Sequence, residues 1–103
     1  MSAVALELSQ MQSAANQACG LMKVLSNPDR LMILCQLSKG ELCVGEIEEI
    51  LGITQPTLSQ QLTVLREEAL VSTRREGKNI YYRVQSSPAL AVIEVLYEHF
   101  CNN

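Results

Sequence analysis

The chain has 103 residues, of which 48% are hydrophobic and 18% charged, with one phenylalanine and no tryptophan. This composition excludes an intrinsically disordered protein, and the length excludes two separate hydrophobic cores. We therefore expect a single globular domain over residues 1–103, and domains of this size commonly gain stability by pairing with a second copy.

No targeting or membrane-spanning segment is recognisable in the sequence. The N-terminus lacks a basic stretch before a long apolar run, and no stretch approaches the roughly 18 uninterrupted apolar residues of a membrane helix. We therefore expect a cytoplasmic protein without a membrane partner. In that compartment the four cysteines should remain thiols, which makes them candidates for metal binding or redox chemistry.

The formal net charge is −3, but the charges are unevenly distributed along the chain. Residues 1–53 carry three basic and six acidic side chains, whereas residues 54–83 carry five basic and three acidic ones. A locally positive segment can steer a protein onto phosphates even when the whole chain is acidic. The charge distribution therefore keeps nucleic acid among the candidate partners.

Two helices are predicted at the start of the chain. The first covers about residues 5–25, where apolar residues recur at spacings of three and four. The second begins at Asn27 as N-cap with Pro28 in its first turn, runs to about Ser38 and stops at Gly40. The apolar face of the first helix consists of Ala14, Ala18, Leu21, Met22 and Leu25.

Two shorter helices follow, joined by a glycine-containing turn. The third spans about Val44–Leu51 and the fourth about Gln55–Glu68, with Thr54 as the expected N-cap of the fourth. Their predicted inward side chains are Ile47, Ile50 and Leu51 in the third helix, and Leu58, Leu62 and Leu65 in the fourth. Two short helices with so brief a connection predict a helix-turn-helix.

After residue 70 the pattern changes to alternation. Val71–Arg75 and Asn79–Val84 are rich in β-branched and aromatic residues, and Gly77 between them supplies a hairpin turn. A last helix is capped by Ser87-Pro88 and runs towards Cys101. The sequence thus predicts a mainly α fold with a β-hairpin wing, a winged helix-turn-helix. We expect it to form a homodimer through the first helix and the last one, about residues 88–101.

The fourth helix and the hairpin tip are the predicted DNA-binding surfaces. With the leucine stripe inward, the opposite helix face is polar and uncharged, and glutamine can pair with adenine in the major groove. The basic tip of the hairpin is typical of contacts to the DNA backbone. The candidate DNA-binding residues are Gln55, Thr57, Ser59, Gln60, Thr63, Arg66, Arg74, Arg75 and Lys78.

Residues 25–84 resemble the ArsR/SmtB family of dimeric winged-helix repressors. The resemblance rests on "NPDRL" from Asn27, "EL" at Glu41, "LSQQL" from Leu58 and the hairpin from Arg74 to Tyr82. One departure is Gln61, where the family usually has the histidine of "SQHL". The resemblance implies operator DNA as partner and an effector that is a metal, a metalloid or a sulfur species.

The pattern of cysteines distinguishes between these classes of effector. The arsenic-sensing branch has a pattern like "ELCVCDL", whereas this chain keeps Cys43 but has Gly45 in place of the second cysteine. The zinc-sensing branch uses paired aspartates and histidines on the last helix, where this chain has the single His99. Because a soft-metal site needs two or more thiolates at one point, we expect neither a metal site nor a cofactor.

Cys35 in "ILC" and Cys101 in "HFC" match a different branch, the persulfide- and redox-sensing one that includes BigR, SqrR and HlyU. The resemblance implies that these two thiols bridge on exposure to reactive sulfur species and that DNA affinity then falls. A buried thiol has a raised pKa, so we expect Cys101, near the chain end, to attack first and Cys35 to resolve.

Two other interpretations remain open at this point. The effector can be a soft metal, with Cys43 recruited across the dimer. Alternatively, the chain is a thiol oxidoreductase or an interaction module that never binds DNA, although it has no C-x-x-C motif and no other catalytic signature.

Overall fold

The computed structural model describes the backbone of residues 3–101 and the side chains of residues 7–101. Its helices are α1 (Ala3–Leu25), α2 (Pro28–Leu37), α3 (Val44–Leu51), α4 (Thr57–Glu67) and α5 (Ser87–Phe100). Its strands are β1 (Leu42–Cys43), β2 (Val71–Glu76) and β3 (Asn79–Val84). This order confirms the predicted winged helix-turn-helix, and β1 is an element that the sequence pattern did not predict.

The strands form one small antiparallel sheet in the order β1-β3-β2. The wing pairs Val71 with Val84 at its base and Glu76 with Asn79 at its tip. Gly77 closes the turn with a φ of 62°, in the left-handed region that glycine adopts without strain. Since β1 has only two residues, too few to show alternation, its pairing with β3 was not visible in the sequence.

The helix starts agree with the capping predictions at one helix and correct them at two. Asn27 Oδ1 accepts a hydrogen bond from the Arg30 N–H at 3.0 Å, as predicted for the start of α2. At α5 the N-cap is Ser86 rather than Ser87, because Ser86 Oγ accepts from the Ala89 N–H at 3.2 Å. The prediction for Thr54 was wrong: α4 begins at Thr57, after a turn, and has no side-chain cap.

The hydrophobic core gathers one face of every helix against the base of the wing. Its fully buried large side chains are Ile33, Leu34, Ile47, Leu58, Leu65 and Ile93. The predicted inward position of Ile50 was wrong, since this side chain is 51% exposed. At about 100° per residue, Ile50 lies close to Glu46 around the helix, whereas Leu51 lies close to the buried Ile47.

Most of α1 projects away from this core. Val24 and Leu25 are buried, but every residue from Glu7 to Gly20 is exposed. The Cα radius of gyration is 16.2 Å, compared with about 13 Å for a compact domain of this length. Within one chain, the predicted apolar face of α1 therefore packs on the core only at the C-terminal end of the helix.

Arg30 joins the end of α1 to α2 and α4. Its Nε donates to the Val24 carbonyl at 2.7 Å, and its guanidinium also donates to Gln61 Oε1 at 2.9 Å. Gln61, the departure from the "SQHL" pattern, thus accepts a hydrogen bond that holds α4 against α2.

Over the described ranges, no helix is both long and apolar enough to cross a bilayer.

The C-terminus of α4 contains a strained residue that gives a stability prediction. Ala69 has a φ of 61°, and the Leu70 N–H donates to the Leu65 carbonyl at 2.9 Å, a helix-ending motif that usually places glycine at this position. The left-handed conformation costs alanine about 1–2 kcal/mol, a cost that glycine avoids. Part of this gain is lost because the unfolded state of the glycine variant has more conformational freedom. We expect Ala69→Gly to raise the free energy of unfolding by about 0.5–1 kcal/mol.

Urea denaturation at equal protein concentrations measures this change. The control is Glu49→Gly, an exposed α3 position with helical backbone, which should lower the free energy of unfolding by about 0.5–1 kcal/mol. A lower stability of Ala69→Gly would contradict the strain at Ala69.

Candidate nucleic-acid interface and thiol pair

The outer face of α4 is polar and open to solvent. Leu58, Leu62 and Leu65 are buried, which confirms the predicted inward stripe. All six predicted DNA-binding residues on and before this helix are exposed: Gln55, Thr57, Ser59, Gln60, Thr63 and Arg66. Because the same helix is anchored by three leucines, its polar face is presented on a rigid support.

Hydrogen bonds orient the side chain of Gln55 at the start of this face. Its Nε2 donates to Glu48 Oε2 of α3 at 2.8 Å, and its Oε1 accepts from Ser59 Oγ at 2.8 Å. A glutamine amide has two N–H donors and two lone pairs, so one of each remains free. A free donor and acceptor are what a bidentate contact to adenine requires. Glu48 was not singled out from the sequence, since it resembles the other glutamates of α3.

The three basic wing residues that are predicted to bind DNA have different surroundings. Arg75 and Lys78 are exposed and lie outside the ion pairs of the described residues. Arg74 Nε donates to Glu41 Oε1 at 2.7 Å, its guanidinium also pairs with Glu76 at 2.6 Å, and it lies 4.6 Å from the Tyr81 ring centroid. The hydrogen bond from Arg74 holds the pKa of the Glu41 carboxyl below its usual range. Arg74 thus ties the wing to the segment before β1.

The two thiols of the predicted switch lie on packed elements. Cys35 is half-buried on α2 and contacts the edge of the core, while Cys101 is exposed directly after α5. Burial raises the pKa of the Cys35 thiol, a thiolate at Cys101 raises this pKa further, and the Lys39 ammonium opposes both effects. The packing of α2 on α5 brings Cys101 within electrostatic range of Cys35, although the two residues are distant in sequence.

A second contact joins α5 to the turn that follows α2. Lys39 Nζ lies 5.7 Å from the ring centroid of Tyr97, within the range of a cation–π interaction. Lys39 follows Cys35 by four residues and Tyr97 precedes Cys101 by four, so these two segments of the chain run antiparallel to each other. Sequence analysis missed Lys39 and Tyr97, although their four-residue spacing from the cysteines was a usable signal.

The other two cysteines have separate positions. Cys19 is exposed on α1, and Cys43 is half-buried at the N-cap of α3. The Cys43 N–H donates to Glu46 Oε1 at 3.0 Å, and this hydrogen bond lowers the pKa of the Glu46 carboxyl. Among the residues that the structure describes, no three histidine, cysteine or carboxylate side chains gather as a metal-binding group.

Comparison with known proteins identifies the family. The profile described as "Bacterial regulatory protein, arsR family" matches residues 27–73. The biofilm growth-associated repressor of Xylella fastidiosa is 50% identical over 91 residues, which cover 88% of this chain and 80% of that protein.

Solved structures agree with the sequence comparison. The transcriptional repressor BigR from Xylella fastidiosa superposes with a TM-score of 0.84 at 49% identity, covering 90% of this chain and 95% of that one. Reduced HlyU from Vibrio cholerae gives a TM-score of 0.86 at 39% identity, covering 89% and 97%. These relationships confirm the resemblance to BigR and HlyU. The chain belongs to the arsR family of bacterial regulatory proteins and is a DNA-binding transcriptional regulator.

Proposed function

We propose that this protein is a homodimeric cytoplasmic regulator whose affinity for operator DNA falls when a reactive sulfur species bridges Cys35 and Cys101. The observation that carries the proposal is the packing of α2 on α5, which brings the half-buried Cys35 within electrostatic range of Cys101. The similarity to BigR and to HlyU supports it.

The proposed dimer uses α1 and α5. Leu8, Met11 and Met22 of α1 are each more than half exposed, and their spacings place them on one face of the helix. Val95 of α5 is also 55% exposed. An exposed apolar stripe of this length is typical of a surface that pairs with another chain. A dimer also places two reading helices on two half-sites, which a single domain of this type cannot do.

In the proposed complex α4 enters the major groove and the wing contacts the backbone. Gln55, Gln60 and Thr63 face the bases, with Thr57 and Ser59 beside them and Arg66 nearer to phosphate. Arg75 and Lys78 supply the cationic contacts at the wing. Arg74 contributes by holding the wing in position, since Glu41 and Glu76 already occupy its guanidinium.

The proposed chemistry begins at Cys101, which is exposed, whereas burial raises the pKa of Cys35. The Cys101 thiolate attacks the outer sulfur of a persulfide RS–SH, forms Cys101–S–SH and releases the thiolate RS⁻. The Cys35 thiolate then attacks the inner sulfur and releases HS⁻. Overall two thiols are oxidised to a disulfide, and the persulfide is reduced to RSH and H₂S. If both thiols are first persulfidated, the same displacement leaves a trisulfide and H₂S.

The bridge acts on DNA affinity through α5. It fixes the C-terminal end of α5 to α2, which also contacts α4. Because α5 also belongs to the proposed dimer surface, a shift of α5 changes the spacing of the two reading helices. A coupling of about 1–3 kcal/mol corresponds to a 5- to 150-fold change in affinity.

One prediction of the proposed function concerns the wing. Arg75→Gln and Lys78→Gln should each weaken binding to any duplex and reduce the slope of log affinity against log salt by about 1, because each removes one phosphate contact. Arg74→Gln should change this slope less. Fluorescence anisotropy across a salt series measures it, and an equal loss of slope in Arg74→Gln and Arg75→Gln would contradict the positioning role of Arg74.

Another prediction of the proposed function concerns the thiol switch. Treatment with glutathione persulfide should weaken binding of the reduced protein to its own promoter duplex by about 5- to 150-fold, and dithiothreitol should restore it. Cys35→Ser and Cys101→Ser should bind DNA when reduced but ignore persulfide. Cys19→Ser and Cys43→Ser are the matched controls. In the same anisotropy titrations, their DNA binding should respond to persulfide as that of the unmodified protein does.

The same titrations distinguish the competing effectors. A response that disappears in Cys43→Ser and requires a soft metal would replace the proposal by metal sensing. A bridge that carries additional sulfur atoms tolerates a wider gap than a direct disulfide, so we expect persulfide to act more strongly than peroxide. Equal effects of peroxide and persulfide would contradict that selectivity.

A further inference from the structure

A small cavity opens between the turn that follows α2 and the face of α5. Its volume is about 240 Å³, below the range of about 300–1,000 Å³ for pockets that hold drug-sized ligands. Such a space suits a group the size of one amino acid. The residues that line it are Ser38, Lys39, Ile93, Glu94 and Tyr97.

The lining combines one positive charge, one negative charge and an apolar wall. Ile93 is 1% exposed and closes the inner side, while Lys39 and Glu94 are exposed at the opening. Across the side chains of residues 7–101, the ion pairs are those of Arg74 alone, so Lys39 and Glu94 do not pair with each other. The Tyr97 ring instead holds the Lys39 ammonium over it. Two opposite charges are therefore available to a ligand at one opening.

This cavity lies one helical turn from both thiols of the proposed switch. Lys39 follows Cys35 by four residues, and Ser38 Oγ donates to the Cys35 carbonyl at 2.6 Å. Cys101 follows Tyr97 by four, and its N–H donates to the Tyr97 carbonyl at 2.8 Å. A molecule held between Lys39 and Glu94 would thus have a short reach to the sulfur atoms.

The cavity also lies on a different face of α5 from the proposed dimer surface. Val95 is about 200° around the helix from Tyr97. Val92, close to Val95 on the helix, faces the groove beside Leu21 of α1. Pairing through α1 and this side of α5 therefore leaves the cavity open to small molecules.

We propose that this cavity binds the amino-acid headgroup of a low-molecular-weight persulfide, with its carboxylate on Lys39 and its α-ammonium on Glu94. The inference rests on the proposed function, because it assigns the substrate class of the same thiol pair. Cysteine persulfide and the γ-glutamyl end of glutathione persulfide both carry this headgroup. Binding there directs the outer sulfur of the persulfide towards Cys101, and the bond changes are those given above.

The two enantiomers of cysteine persulfide provide the test. They have the same intrinsic reactivity, so a difference in their rates with the reduced dimer reports contacts at a site that distinguishes their geometry. We expect the L-form to form the Cys35–Cys101 bridge faster, by on the order of fivefold, the size that one or two solvent-exposed ion contacts supply. Quenched-flow alkylation and intact mass spectrometry measure both rates.

Variants locate the contacts. Lys39→Gln and Glu94→Gln should each bring the ratio of the two rates towards one, whereas Lys39→Arg should keep the preference. Any effect of Lys39 on the Cys35 thiolate cancels in this ratio, because it alters both rates equally. The matched control is Glu98→Gln, an exposed carboxylate one turn further along α5 that does not line the cavity, and its ratio should be unchanged.

Equal rates for the two enantiomers in the unmodified protein would overturn the binding site but leave the thiol switch standing. A preference that survives in both Lys39→Gln and Glu94→Gln would also overturn it. If neither enantiomer forms the bridge, the proposed function itself fails and the binding site fails with it.

Discussion

The packing of α5 against α2 is the contact on which the functional account depends. These helices are far apart in sequence, yet they pack so that Cys101 lies within electrostatic range of Cys35 and Lys39 lies over the Tyr97 ring. Ile93 of α5 is buried in the core and lines the cavity beside Lys39, so this region has an apolar base. Because α2 also packs on α4, a change at the α5 end of this contact has a continuous path of packed side chains to the DNA-reading helix.

The thiol environment follows from the same contact. Cys35 lies at the edge of the core, so burial raises its pKa, while Cys101 extends beyond the last helical turn into solvent. One thiol is thus protected and the other accessible, which is the asymmetry that a two-step bridging reaction requires. The cation–π contact of Lys39 with Tyr97 holds the two elements together in the reduced protein without a covalent bond.

Sequence reasoning found the elements whose pattern is local. The leucine spacing of α4 and the Asn27 cap both depend on neighbours within one or two turns, and both agree with the structure. Contacts between distant segments were not readable: β1 is too short to show a period, and the engagement of Arg74 by Glu41 depends on the sheet register. Without that register, the three basic wing residues predicted to bind DNA look equivalent, whereas the fold separates Arg74 from Arg75 and Lys78.

The proposed pairing of Cys35 with Cys101 shows a related limit of sequence reasoning. Composition and spacing allowed several uses of the thiols, and only the family pattern selected this pair from the sequence. The structure supports this choice, since α2 packs on α5 and Cys101 lies within electrostatic range of Cys35, while Cys43 lies at the start of α3 beside Glu46. The charges of Lys39 and Glu94 become relevant only because the fold places both of them at one cavity near these thiols.

The central claim is that formation of the Cys35–Cys101 bridge is the event that releases DNA. The most direct measurement follows both processes in one sample: stopped-flow anisotropy of the bound operator during persulfide addition, and intact mass of alkylation-quenched aliquots. The account predicts that the bridged species accumulates no later than DNA release and that the two have the same limiting rate constant. Release of DNA while both thiols remain open to alkylation, or a complete bridge with the DNA still bound, would contradict it.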